Sequence, residues 1–158
     1  MAHLRDALEE VGFDDVRTYL QSGNVVLSSP KKSEDVARMC ERAIAERVGL
    51  DIDVVVRSRA DLARVVQRNP LGDVATNPKR YQVTFLATEP TRKVIHELET
   101  AAVEPEQMVA SGREIYAWHP DGVARSKLWA LLAGRKLGVT ATSRNWTTVT
   151  KLLELADD

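Results

Sequence analysis

The apolar pattern of this chain runs once, halts at the stretch "PLGDVATNPKR", and then begins again. No other feature restricts the fold as much. Before the halt, "AHLRDALEEVGF" spaces Leu4, Ala7, Leu8 and Val11 along one helix face and closes at Gly12. "DVRTYLQSGNVVLSS" alternates about a turn at "QSGN", where Gly23 and Asn24 suit the positive-φ positions of a tight hairpin. Ser33 is the expected cap of the helix "EDVARMCERAIAERVG", which stops at Gly49. "DIDVVVRS" reads as a strand, and "RADLARVVQRN" as a helix capped by Ser58. After the halt come a strand at "YQVTFLA", a helix at "TRKVIHELETAAV", two short strands around "SGRE", a helix at "RSKLWALLAGRKLG" and a last helix from Ser143.

Strands grouped with neighbouring strands predict an α+β fold and not a doubly wound parallel sheet. Both runs resemble the ferredoxin-like βαββαβ unit, and the first lacks its opening strand. The expected organisation is therefore an incomplete first half over 1–70, a linker over 71–80, and a second half with C-terminal helices over 81–158. The opening strand of such a unit lies mid-sheet. Without it the neighbouring strands present unpaired N–H and C=O groups, which are costly when buried and adhesive when exposed. Another segment fills the slot, or a partner chain does so in a homo-oligomer, or the chain is a shortened form of a longer protein.

A chain of 158 residues with 44% hydrophobic and 28% charged residues can bury a core and is not of disordered composition. Its formal net charge of -1 speaks against a dedicated nucleic-acid binder. Cys40 stands alone on the apolar side of its helix, so no internal disulfide forms and the thiol reads as core. No apolar run has membrane-span length and the N-terminus has no signal-peptide h-region, so the expectation is a soluble cytoplasmic protein without a membrane partner.

Signatures of nucleotide loops and of zinc proteases are missing. His3, His96 and His119 are scattered without metal-ligand spacing, so neither a metal nor a cofactor is expected, and no catalytic residue is identified. Gln21, Ser22 and Asn24 form a polar cluster at the hairpin. They read as turn chemistry first and as a pocket lip second.

The C-terminal region is different. Between Asp121 and Lys151 the only acid is Asp121, against Arg125, Lys127, Arg135, Lys136, Arg144 and Lys151. Arg135 and Lys136 suit a helix C-terminus, and Lys151 lies within the last helix. Arg125, Lys127 and Arg144 are placed where the last two helices begin, against the dipole. An anion there reverses the sign. Ser126, Asn145 and Trp146 add a hydroxyl, an amide and a flat ring, which makes Arg125, Ser126, Lys127, Arg144, Asn145 and Trp146 the candidate site for an anionic small molecule. The structural alternative pairs Arg144 with an internal carboxylate, either Asp121 or a first-half glutamate, and puts Trp146, like Trp118 and Trp129, in the core. Two other readings stand beside it: an RNA-binding module, for which no aromatic stacking pattern is present, and an enzyme on a phosphorylated or carboxylated metabolite.

The stretches "VRTYLQSGNVVL", "GVARSKL" and "TSRNWTTVTKLLELA" resemble those of an uncharacterised bacterial family, the domain of unknown function family 1697. The resemblance covers nearly the whole chain in the same order. It implies two ferredoxin-like halves and no established activity, cofactor or substrate. Members of that family carry a strand and a glycine-rich loop before the first helix, and no counterpart precedes Met1 here.

Overall fold

The computed structural model describes residues 2–19, 23–134 and 137–157. The fold is α+β, with two antiparallel sheets of two and four strands among the described residues. It divides into two compact units: residues 1–61 with 151–158, and residues 62–150.

In the first unit α1 (Ala2–Glu10) is followed by β1 (Asp14–Tyr19), β2 (Asn24–Ser28) and α2 (Ser33–Arg47). Gly12 turns the chain out of α1 at φ +102°. β1 and β2 form an antiparallel hairpin with Tyr19 opposite Asn24. Gly23 has positive φ, whereas Asn24 opens β2, so the glycine alone of that pair supplies the turn conformation. The β1 ladder slips between Asp14 and Arg17, where Asp15 takes a φ of +50°. Leu8, Phe13, Val16, Val36, Cys40 and Ala43 form the core, and Val25, Leu27, Val54 and Val56 pack against it. The cap of α2 is Lys32, without a side-chain bond, and Ser33 already lies inside the helix.

Residues 51–58 are not a strand, contrary to the expectation from "DIDVVVRS". A strand persists by pairing, and this segment enters no ladder among the described residues. Val54 N–H is held instead by the Glu41 carboxylate from α2, at 2.9 Å. A side chain thus takes the place of a strand carbonyl.

α3 (Arg59–Arg68) follows, its start satisfied by the bond from Asp61 N–H to Ser58 Oγ at 3.1 Å. A 3-10 turn (Pro78–Arg80) then leads into β3 (Tyr81–Leu86), α4 (Arg92–Ala101), β4 (Gln107–Ser111), β5 (Glu114–Trp118), α5 (Lys127–Ala133), β6 (Ala141–Asn145) and α6 (Trp146–Ala156). The four strands lie in the order β4-β5-β3-β6. β3 is antiparallel to both neighbours, with Val83 opposite Tyr116 on one side and Arg144 on the other. Leu86, Ile115 and Ala117 share a core with Leu98 of α4 and with Leu128 and Leu132 of α5. By strand alternation Tyr81, Val83, Phe85, Tyr116 and Trp118 point to the opposite face, and all five are buried. There the Tyr116 hydroxyl donates to the Val65 carbonyl of α3 at 2.9 Å.

β6 occupies the stretch in which a helix was expected from Ser143. The helical spacing of Trp146, Val149 and Leu152 is real, but it begins only at α6. Ala141 and Ser143 alternate with Thr142 and Arg144 instead, as a paired strand requires. Among the described residues no helix is long and apolar enough to cross a membrane.

Candidate functional site

Ser126 is the N-cap of α5, its Oγ accepting from Trp129 N–H at 2.9 Å. The same hydroxyl donates to Glu106 Oε2 at 2.6 Å. His119 Nδ1 lies 2.5 Å from that same oxygen. His119 is fully buried, and its Nε2 has no hydrogen-bond partner among the described residues. The Trp129 ring meets the imidazole edge-on, with centroids 5.9 Å apart.

Serine, histidine and glutamate meet here, yet the geometry is not that of a nucleophilic triad. In a triad the serine and the acid address different ring nitrogens. Here both the hydroxyl and Nδ1 converge on one carboxylate oxygen, and Ser126 Oγ is 3.5 Å from Nδ1 itself. The network orients the imidazole with Nδ1–H toward Glu106, leaving Nε2 as a bare acceptor in the neutral ring. Glu106 also brings a negative charge to the start of α5, where the dipole favours one. Arg125 and Lys127 lie on either side of Ser126 and are exposed.

Arg144 stands on β6, two residues before α6 begins. Its guanidinium donates to Thr142 Oγ1 at 2.5 Å and to the Ser143 carbonyl at 2.8 Å. Half-burial of the side chain lowers its pKa through desolvation. Asn145 ends the strand and starts the helix, since its Oδ1 accepts from Thr148 N–H at 2.9 Å. Trp146 stacks on Tyr81 with centroids 4.8 Å apart. The Tyr81 hydroxyl in turn donates to Asn69 Oδ1 at 2.9 Å and accepts from Leu71 N–H at 3.4 Å. Asn145 and Trp146 therefore have internal partners, and so does Ser126. Trp118 is buried, and Trp129 half-buried.

At the hairpin, Gln21 and Ser22 lie outside the described residues, as do Arg135 and Lys136. Asn24 is buried, and its Nδ2 donates back across the turn to the Tyr19 carbonyl at 3.1 Å. In the first unit an open cleft of about 450 Å³ lies between Val11 and α2, lined by Lys31, Arg38, Met39 and Arg42 among others. Arg38 is bridged to Asp35 on the same helix. Among the described residues no three histidine, cysteine, aspartate or glutamate side chains are grouped to hold a metal ion.

The Glu106–His119–Ser126 cluster had no sequence signature. The three positions follow no motif spacing, and only the pairing of β5 with β4 and the start of α5 bring them together.

A family model described as "Protein of unknown function (DUF1697)" matches residues 1–116. Among solved structures the chain is similar to the conserved bacterial protein SP0830 from Streptococcus pneumoniae. The TM-score is 0.78 at 20% identity, over 99% of this chain and 88% of that one. At that identity the likeness concerns the fold alone. No curated protein matches the sequence.

Proposed function

The chain belongs to the DUF1697 family of unknown function, and we propose that it is a binding module for an anionic small molecule at the start of α5. One observation carries this reading: Arg125 and Lys127 flank Ser126 there and are exposed. Phosphate is then expected to raise the melting temperature of the parent, and the shift should vanish in the double variant Arg125→Ala, Lys127→Ala. Equal shifts in both proteins would assign the effect elsewhere. The burial of Tyr81, Tyr116 and Trp118 weighs against base stacking on the four-stranded sheet.

A further inference from the structure

We infer that two copies of this chain pair edge to edge through β4, joining their four-stranded sheets into one continuous antiparallel sheet. The inference goes beyond the anion-binding reading and does not depend on it.

β4 ends the strand order β4-β5-β3-β6, so only one of its sides is paired among the described residues. The register identifies the backbone groups on the other side. Leu86 N–H donates to the Arg113 carbonyl at 2.9 Å, and His119 N–H to the Arg80 carbonyl at 3.0 Å. Odd-numbered residues at both ends of β5 thus bond toward β3. Alternation along an antiparallel strand then sends Glu114, Tyr116 and Trp118 toward β4. Their partners there are Ser111, Val109 and Gln107. Met108 and Ala110 therefore turn their N–H and C=O outward, and among the described residues those groups bond to nothing. The Met108 and Ala110 side chains pack on the core beneath α4 and α5, so the strand is anchored in its own unit.

An edge strand is normally blunted by charge, proline or a bulge. β4, "QMVAS", has neither charge nor proline, and its register with β5 is unbroken. The other edge strand, β6, carries Arg144.

The occupant is a second copy because the strand is its own complement. About a two-fold axis at Val109, antiparallel pairing sets Met108 opposite Ala110, Gln107 opposite Ser111, and Val109 opposite its own mate. Apolar meets apolar, and polar meets polar. Met108 and Ala110 then exchange both backbone bonds, and the two Val109 side chains face each other in the closer, non-bonded pair. The flanking charges are opposite in sign, with Glu104 before the strand and Arg113 after it. Antiparallel pairing sets each beside the other's copy, whereas parallel pairing brings like to like.

Sedimentation across a concentration series, with amide hydrogen exchange, tests this. The parent is expected to pass from monomer to dimer, with the Met108 and Ala110 amides protected in the dimer and open on dilution. The Val109 amide, turned toward Tyr116, should be protected in both states. Ala110→Pro removes an outward donor, a change that an edge strand tolerates. It is expected to keep the parent's circular dichroism and to raise the dissociation constant at least about tenfold, since both copies lose a bond. A parent that stays monomeric overturns the inference. So does a dimer in which the Met108 and Ala110 amides exchange freely, or equal dimerisation of a folded Ala110→Pro. If that variant does not fold, the exchange pattern of the parent decides alone.

Discussion

Between pH 9 and pH 12 the protein is expected to lose several kcal/mol of stability. Three acids with ordinary alkaline pKa values are shut away from water. Burial pushes the Cys40 thiol up to about 11, with the neighbouring Glu41 charge adding to the effect. Burial pushes the Tyr81 hydroxyl to about 12, against a smaller lowering by its hydrogen bond from Leu71. Tyr116 also reaches about 12, chiefly through burial, with Glu114 and Tyr81 raising it further and Arg68 opposing. A folded-state pKa above the unfolded one means that the folded state holds its proton longer. The associated stability is complete below the unfolded pKa and is lost as pH climbs to the folded one. The loss begins near pH 9 for Cys40 and near pH 10 for the two tyrosines. Each shift of about two units corresponds to about 2.7 kcal/mol. Native proteins are stable by only about 5–15 kcal/mol, so the sum is a large share. Melting temperatures taken across this range should be flat to about pH 9 and then fall steeply. Cys40→Ala should move the start of the decline toward pH 10, where the two tyrosines of the second unit begin to titrate. Melting that stays unchanged up to pH 12 would contradict the burial of these groups.

Glu106→Ala is expected to destabilise the second unit by about 2–5 kcal/mol. The carboxylate accepts from Ser126 Oγ and faces His119 Nδ1. Its side chain is only 13% exposed, and His119 is not exposed at all. Truncation takes the acceptor from one buried donor, His119, and one half-buried donor, Ser126, and a buried donor left unsatisfied costs about 1–3 kcal/mol. The imidazole would then keep only the 3.5 Å contact of Nδ1 with Ser126 Oγ, since Nε2 already has no partner among the described residues. Glu106→Gln keeps the shape and one acceptor oxygen, and should cost less, about 1–2 kcal/mol. Urea denaturation of the three proteins checks both values. A loss below about 1 kcal/mol for Glu106→Ala would mean that water already serves these groups.

The α+β class was legible from apolar periodicity, and the family from the resemblance of stretches such as "VRTYLQSGNVVL". The state of residues 51–58 was not legible. "DIDVVVRS" has strand chemistry, and strand chemistry does not show whether a neighbour exists. The Arg144 reading went astray for a related reason. The apolar face of α6 is clear in the sequence, but Asn145 both closes β6 and caps α6, so no loop residues announce the change. Extending the helix back across Asn145 put the guanidinium at a helix end, whereas it is a strand residue with bonds to Thr142 and Ser143. At the start of α5 the placement held, and the partner was the surprise. Asp121 and first-half glutamates were weighed only as partners of Arg144, and Glu106, which accepts from Ser126 at α5, has no signal in the sequence.

The position of β3 also fixes an order of events during synthesis. β1 and β2 are close in sequence and can pair as soon as Ser28 has left the ribosome. β3 must wait, because one partner ends at Trp118 and the other at Asn145. At about 5–20 residues per second the last of these appears seconds after β3 itself. During that interval one edge of Tyr81–Leu86, the most buried strand of the sheet, has nothing to bond. The nascent chain thus spends its longest vulnerable period over the second unit, and a chaperone with affinity for apolar strands would meet it there first.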